Sequence, residues 1–151
     1  MAPPLSSTLE AIKLSDSESA YAYFRVAGED LPLEEITSSL ATQPTESWRK
    51  GDPGKYNPSR PDSGWCLYSP LTRSTLRIDE HIEALLPLLE HRTSVVRELS
   101  ERYKTYLVCV GYYYESSPGF FLSKEVIARI ENLGLSLDLD LYCNWGGVDG
   151  L

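Results

Sequence analysis

Leu135, Leu137, Leu139 and Leu141 alternate with Ser136, Asp138, Asp140 and Tyr142 near the end of the chain. A period of two belongs to a β-strand, whose successive side chains point to opposite sides of a sheet. Leucine on one side and acids on the other predicts a half-buried strand, with Leu137 and Leu139 buried and Asp138 and Asp140 facing outward or meeting basic partners. A sheet with one polar face is covered by helices on the other side only, so this pattern restricts the chain to two-layer α+β architectures.

The rest of the chain supplies the other elements. Aromatic and β-branched residues make Tyr21–Ala27 a strand that ends at Gly28. Asp30 and Pro32 suit a helix start, Glu34 and Glu35 favour its positive end, and Leu33, Ile36 and Leu40 recur at helical spacing. Thr45–Lys50 reads as extended, and Gly64–Ser69 as a returning strand. Between them, Gly51, Pro53, Gly54, Pro58 and Pro61 keep the backbone irregular over residues 51–63. Residues 79–103 carry the longest helical stripe, including Ile82, Leu85, Leu86, Leu89, Val96 and Leu99. Pro87 inside it predicts a kink or two consecutive helices. Tyr106–Tyr114 is a strand, with a short extra strand at Gly119–Leu122. Ser123 then caps a helix bearing Val126, Ile127, Ile130 and Leu133, which Gly134 closes. The expected fold is a two-layer α+β sandwich with a mixed or mainly antiparallel sheet and helices on one face. It is of the ferredoxin-like or a related kind, with two β-α-β halves at Tyr21–Ser69 and Thr105–Cys143.

A chain of 151 residues is the size of one domain. Residues 20–144 are expected to form it, between a flexible N-terminal tail (1–19) and a C-terminal tail (145–151). The start lacks the basic and apolar segments of a secretory signal, and no apolar run approaches the roughly 20 residues needed to span a bilayer, so a cytoplasmic location is expected. A net charge of -8 speaks against nucleic-acid and membrane partners, which require positive surface. Only residues 44–77 are basic, with six bases against three acids. Cys66, Cys109 and Cys143 lie in apolar strand-like stretches without CxxC spacing and read as buried thiols.

That basic segment holds the first candidate site. Arg49 and Lys50, followed by a turn containing Asp52 and then by Lys55 and Arg60, offer planar and point-charge donors for a phosphate or carboxylate, although solvated charges or internal ion pairs explain them as well. Trp48, Trp65, Tyr112 and Tyr114 form a candidate aromatic surface; alternation sends Tyr113 to the opposite face. Asp138 and Asp140, about 7 Å apart on one face, match a carboxylate pair, but no third ligand accompanies them, and pairing with Arg25 or another base explains them as well. His81 and His91 both sit among charges, roughly 80° apart around their helix, and make no metal pair. Neither a cofactor nor a metal is expected, and no catalytic constellation assembles.

Several blocks occur in order: Tyr23-Phe24-Arg25-Val26-Ala27-Gly28-Glu29-Asp30-Leu31, Ser47-Trp48-Arg49-Lys50-Gly51-Asp52, Gly64-Trp65, His81-Ile82-Glu83-Ala84-Leu85, Cys109-Val110-Gly111-Tyr112-Tyr113 and Leu135 to Tyr142. Together they resemble an uncharacterised, mainly bacterial family of small domains, number 4279 in the series of domains of unknown function, over roughly residues 21–143. The resemblance implies kinship and brings no activity. The functional expectation is a non-catalytic binding or protein-interaction module, whose partner surface combines the polar sheet face with the 48–64 loop. An immunity-type protein that masks a basic toxin is one concrete form. The alternative is a small-molecule site, sensory or enzymatic, for an anionic ligand near that loop.

Overall fold

The computed structural model describes residues 18–114 and 117–143. Its architecture starts from β1 (Ser19–Gly28), where Ala20, Ala22, Phe24 and Val26 are fully buried and alternate with half-buried Tyr21, Tyr23 and Arg25. β1 is the central strand, antiparallel to β3 (Ser63–Tyr68) on one side and β4 (Lys104–Tyr113) on the other. β2 (Glu46–Trp48) pairs antiparallel outside β3, and β5 (Ser136–Cys143) pairs parallel outside β4, giving the order β2-β3-β1-β4-β5.

Four helices accompany the sheet among the described residues: α1 (Leu33–Leu40), α2 (Ile78–Glu90), α3 (Thr93–Arg102) and α4 (Lys124–Asn132). Neighbours among the first four strands all run antiparallel, and β3 lies between β1 and β2, which is the split β-α-β arrangement of ferredoxin-like sandwiches. The second half, β4-α4-β5, differs because its two strands are direct neighbours. It extends the four-stranded unit by one parallel strand, so the sheet is mixed.

Register divides the sheet into two faces. Phe24 pairs with Leu67 and Leu107, and Val26 with Trp65, so these side chains share the face that α1, α2, α3 and α4 cover. Ile36, Ile82, Leu85, Leu89, Val96 and Ile130 from the helices complete that core. Trp65 is wholly buried there, edge-on to Phe24 with ring centroids 6.1 Å apart.

The helix ends follow local chemistry. The Ser123 hydroxyl accepts a hydrogen bond from the Val126 amide at 3.2 Å, as a cap should, and Gly134 closes α4 with φ +76°. Pro32, rather than Asp30, occupies the cap position of α1. Pro87 stays inside α2; the break falls after Glu90, and two consecutive helices result. His81 is fully buried rather than set among charges. Its Nε2 donates to the Thr75 carbonyl at 2.8 Å, because a carbonyl only accepts, and Nδ1 then accepts from the Ser69 hydroxyl at 2.9 Å. This histidine ties the segment after β3 to α2.

Three expectations are corrected here. Residues 119–122 form no strand. Leu137, Leu139 and Leu141 do face the helix side but are 37%, 43% and 41% exposed, because at this sheet edge the helices do not cover them. β1 begins at Ser19, within the segment expected as a tail. Of the expected tails, residues 1–17 and 145–151 lie outside the described residues.

Candidate functional site

The face of the sheet opposite the helices is where the functional candidates collect. Six of the chain's ten tyrosines stand on it: Tyr21 and Tyr23 from β1, Tyr68 from β3, Tyr106 and Tyr112 from β4, and Tyr142 from β5. Tyr23 and Tyr68 are cross-strand partners with rings stacked at 4.6 Å, and Tyr21 lies 5.8 Å from Tyr68. Tyr112 and Tyr142 form a second stack, with centroids 4.9 Å apart and planes within 9°. These rings shield Val108, Val110 and Cys66, which are buried although no helix lies over them. The tyrosines thus serve the sheet as a thin second layer and also present their edges and hydroxyls outward.

Cations are stacked onto this layer. The Arg73 guanidinium lies 3.9 Å from the Tyr21 ring centroid. Trp48 lies across β3 at Gly64, where a Cβ would meet the indole at 2.2 Å, so only glycine admits the ring. Arg60 covers the indole at 4.0 Å, and Arg25 approaches the same ring at 5.9 Å. Arg25 Nε, Arg60 Nε and Trp48 Nε1 are buried without a hydrogen-bond acceptor among the described residues. For the two guanidinium groups the electron-rich indole takes that place. Burial pushes the Cys66 thiol up to about 12 and the Tyr23 phenol up to about 12. The Tyr68 phenol is raised as well, by burial and by its hydrogen bond to Glu46 Oε2 at 3.0 Å.

With this geometry in hand, kinship is settled by sequence. A family model described as Domain of unknown function (DUF4279) matches residues 18–144. The chain belongs to that family. It matches no curated protein and no solved structure.

This DUF4279 domain separates the residues that the sequence had grouped. Trp48, Tyr112, Asp138 and Asp140 do share the open face, spread across its width from β2 to β5, four strand spacings or roughly 19 Å. Trp65 points the other way, into the core, with its indole N–H donating to Thr37 Oγ1 at 3.0 Å, so it forms no part of the aromatic surface. Tyr114 follows β4, and its amide donates to Glu18 Oε2 at 3.0 Å.

Arg49 and Lys50 lie at the edge beside the start of α1. Both are engaged: Arg49 Nη2 reaches both carboxylate oxygens of Glu34 at 2.9 and 2.8 Å, and Lys50 Nζ meets Glu29 at 3.2 Å. Hydrogen bonds from Arg49 hold the Glu34 carboxyl below its ordinary range. Asp52 turns inward on its own loop and accepts from the Arg49 amide at 2.9 Å. The recess beside them, about 360 Å³ and lined in part by Glu34, Thr37, Trp48, Arg49 and Asp52, is open to solvent.

Asp138 and Asp140 form no ion pair among the described residues. No group of three or more His, Cys, Asp or Glu there is placed to hold a metal ion. Nor is any described helix long and apolar enough to cross a membrane. Cys143 is exposed, unlike Cys66 and Cys109.

Sequence reasoning missed Tyr21, Tyr23, Tyr68, Tyr106 and Tyr142, together with Arg73; it read Arg60 as an anion donor and Arg25 as a partner for the strand acids, whereas both lie on the Trp48 ring. A signal existed: Tyr21, Tyr23 and Arg25 alternate with Ala20, Ala22, Phe24 and Val26, the same period of two that betrays β5. Charge counting drew attention to Arg49 and Lys50 instead, and it is blind to whether a cation has an acid beside it.

Proposed function

We infer that this domain is a non-catalytic recognition module that binds a protein partner through the open face of its sheet. One observation carries the reading: a helix-free face bears stacked tyrosines, Trp48 and the ring-bound Arg25, Arg60 and Arg73, a composition that elsewhere concentrates binding energy at interfaces. Rings already stacked in the free protein lose little freedom on binding, which is how tyrosine-rich surfaces gain affinity. The acidity of the chain would speed encounter with a basic partner, and an immunity-type role masking a toxin is the concrete form of that idea. A site for an anionic small molecule at the 48–64 loop has less support, since Arg49 and Lys50 already hold carboxylates of the same chain.

The test compares two variants as baits in affinity capture from the source cell. Tyr112→Ser with Tyr142→Ser disrupts the exposed stack, and Arg49→Ala with Lys50→Ala removes the loop cations. The expected result is that a partner held by the wild-type domain is lost from the tyrosine variant and kept by the loop variant, with both variants folded by circular dichroism. Loss from the loop variant alone would move the site to the loop and overturn the reading.

A further inference from the structure

β5 is the last strand on its side of the sheet among the described residues, and all 8 of its residues are exposed. Its outer edge therefore offers a row of backbone N–H and C=O groups to whatever can pair with them. Soluble proteins usually protect such an edge with lysine, proline, a bulge or a very short strand. β5 contains neither lysine nor proline, and it stays in unbroken register with β4 from Ser136 to Cys143. Its two rows are chemically opposite. Leu137, Leu139 and Leu141 lie partly exposed on the helix side, while Asp138 and Asp140 lie on the open face without an ion pair among the described residues. Asp140 is engaged by a hydrogen bond with the Tyr142 hydroxyl, which raises that phenol's pKa.

The charges decide what can occupy this edge. A second copy, paired antiparallel about a two-fold axis, would set Asp138 and Asp140 against the same residues of its mate, and like charges on neighbouring strands destabilise a ladder. The aspartates therefore act against self-association and favour the opposite charge. We propose that the outer edge of β5 is a strand-addition site for an extended segment of another protein in which Lys or Arg alternates with aliphatic residues. The basic side chains meet Asp138 and Asp140, the aliphatic ones cover Leu137, Leu139 and Leu141, and the backbones complete the ladder. This goes beyond the tyrosine-face reading, because it uses the backbone edge and the leucine row, and either can fail alone.

The probe is a capped peptide alternating Lys and Val, titrated into the full-length, isotope-labelled chain while amide resonances are followed. Saturable shifts concentrated on residues 136–143, with slowed exchange of their outward amides, are expected. Asp138→Asn with Asp140→Asn should weaken binding about tenfold, as should a peptide of the same composition with its lysines in one block, or one with Glu in place of Lys. Leu139→Lys supplies a second variant should the asparagine pair melt early, and it too should weaken binding about tenfold. Equal binding of the block peptide, or shifts lying away from β5, would overturn the proposal. So would a dimer detected by light scattering and abolished by Leu139→Lys, which would make the occupant a second copy. Binding that appears only after residues 1–17 are deleted would assign the edge to the chain's own N-terminal segment, again against the proposal.

Discussion

Three cysteines that look alike in sequence occupy different physical environments. Cys66 lies beneath the aromatic layer of the open face and Cys109 in the helix-side core, and burial raises both thiols to about 12. At neutral pH they have almost no thiolate and no access to reagent, whereas Cys143 on the edge strand is exposed. A thiol reagent should therefore label one cysteine quickly in the native protein and all three after denaturation; rapid labelling of three without denaturant would show that the sheet opens. Two of the three tryptophans teach the same lesson. Trp48 and Trp65 both sit in short strands, and both read as surface aromatics. Only the pairing of Trp65 with Val26 and of Trp48 with Gly64 sends one into the core and the other onto the open face. A period of two tells which residues share a face, while the face that receives the helices is decided by partners far away in sequence.

At the scale of elements, periodicity was a sound guide to existence and a poor one to coverage. The strands at Tyr21, Gly64 and Tyr106, the cap at Ser123 and the stop at Gly134 were legible because each rests on local chemistry. Burial of β5 was not, because alternation reports two unlike faces and says nothing of whether a helix reaches the apolar one. The exposure of Leu139 also sets what its truncation costs. At 43% exposure its truncation leaves little cavity, so Leu139→Ala should cost less than about 1 kcal/mol, against about 3–5 kcal/mol for Phe24→Ala in the helix-side core. Urea unfolding of the two variants checks this directly. Comparable losses would mean that β5 is covered in solution.

For the whole molecule, the question is what joins the added β4-α4-β5 unit to the ferredoxin-like sheet besides the β4 strand they share. Val126 and Ile130 of α4 enter the common core, and Arg129 bridges to α2 by a two-pronged contact with Glu90, Nε to Oε2 at 2.8 Å and Nη2 to Oε1 at 2.7 Å. Hydrogen bonding from Arg129 lowers the Glu90 carboxyl below its ordinary value of 4.5 and, reciprocally, raises the guanidinium. A carboxyl that holds its proton less tightly when folded stabilises the fold fully above its unfolded pKa, and that contribution fades as pH falls through the lower folded pKa. Both side chains are partly exposed, so solvent screens the pair and its contribution should stay near or below about 1 kcal/mol. Glu90→Gln should therefore be less stable than wild type at neutral pH by that small margin. As acid protonates the wild-type carboxyl, the two unfolding curves should converge, while Phe24→Ala keeps its deficit. A gap between wild type and Glu90→Gln that persisted unchanged into strong acid would mean that shape, and not charge, joins α4 to α2, leaving the shared apolar core as the link that holds the fifth strand in place.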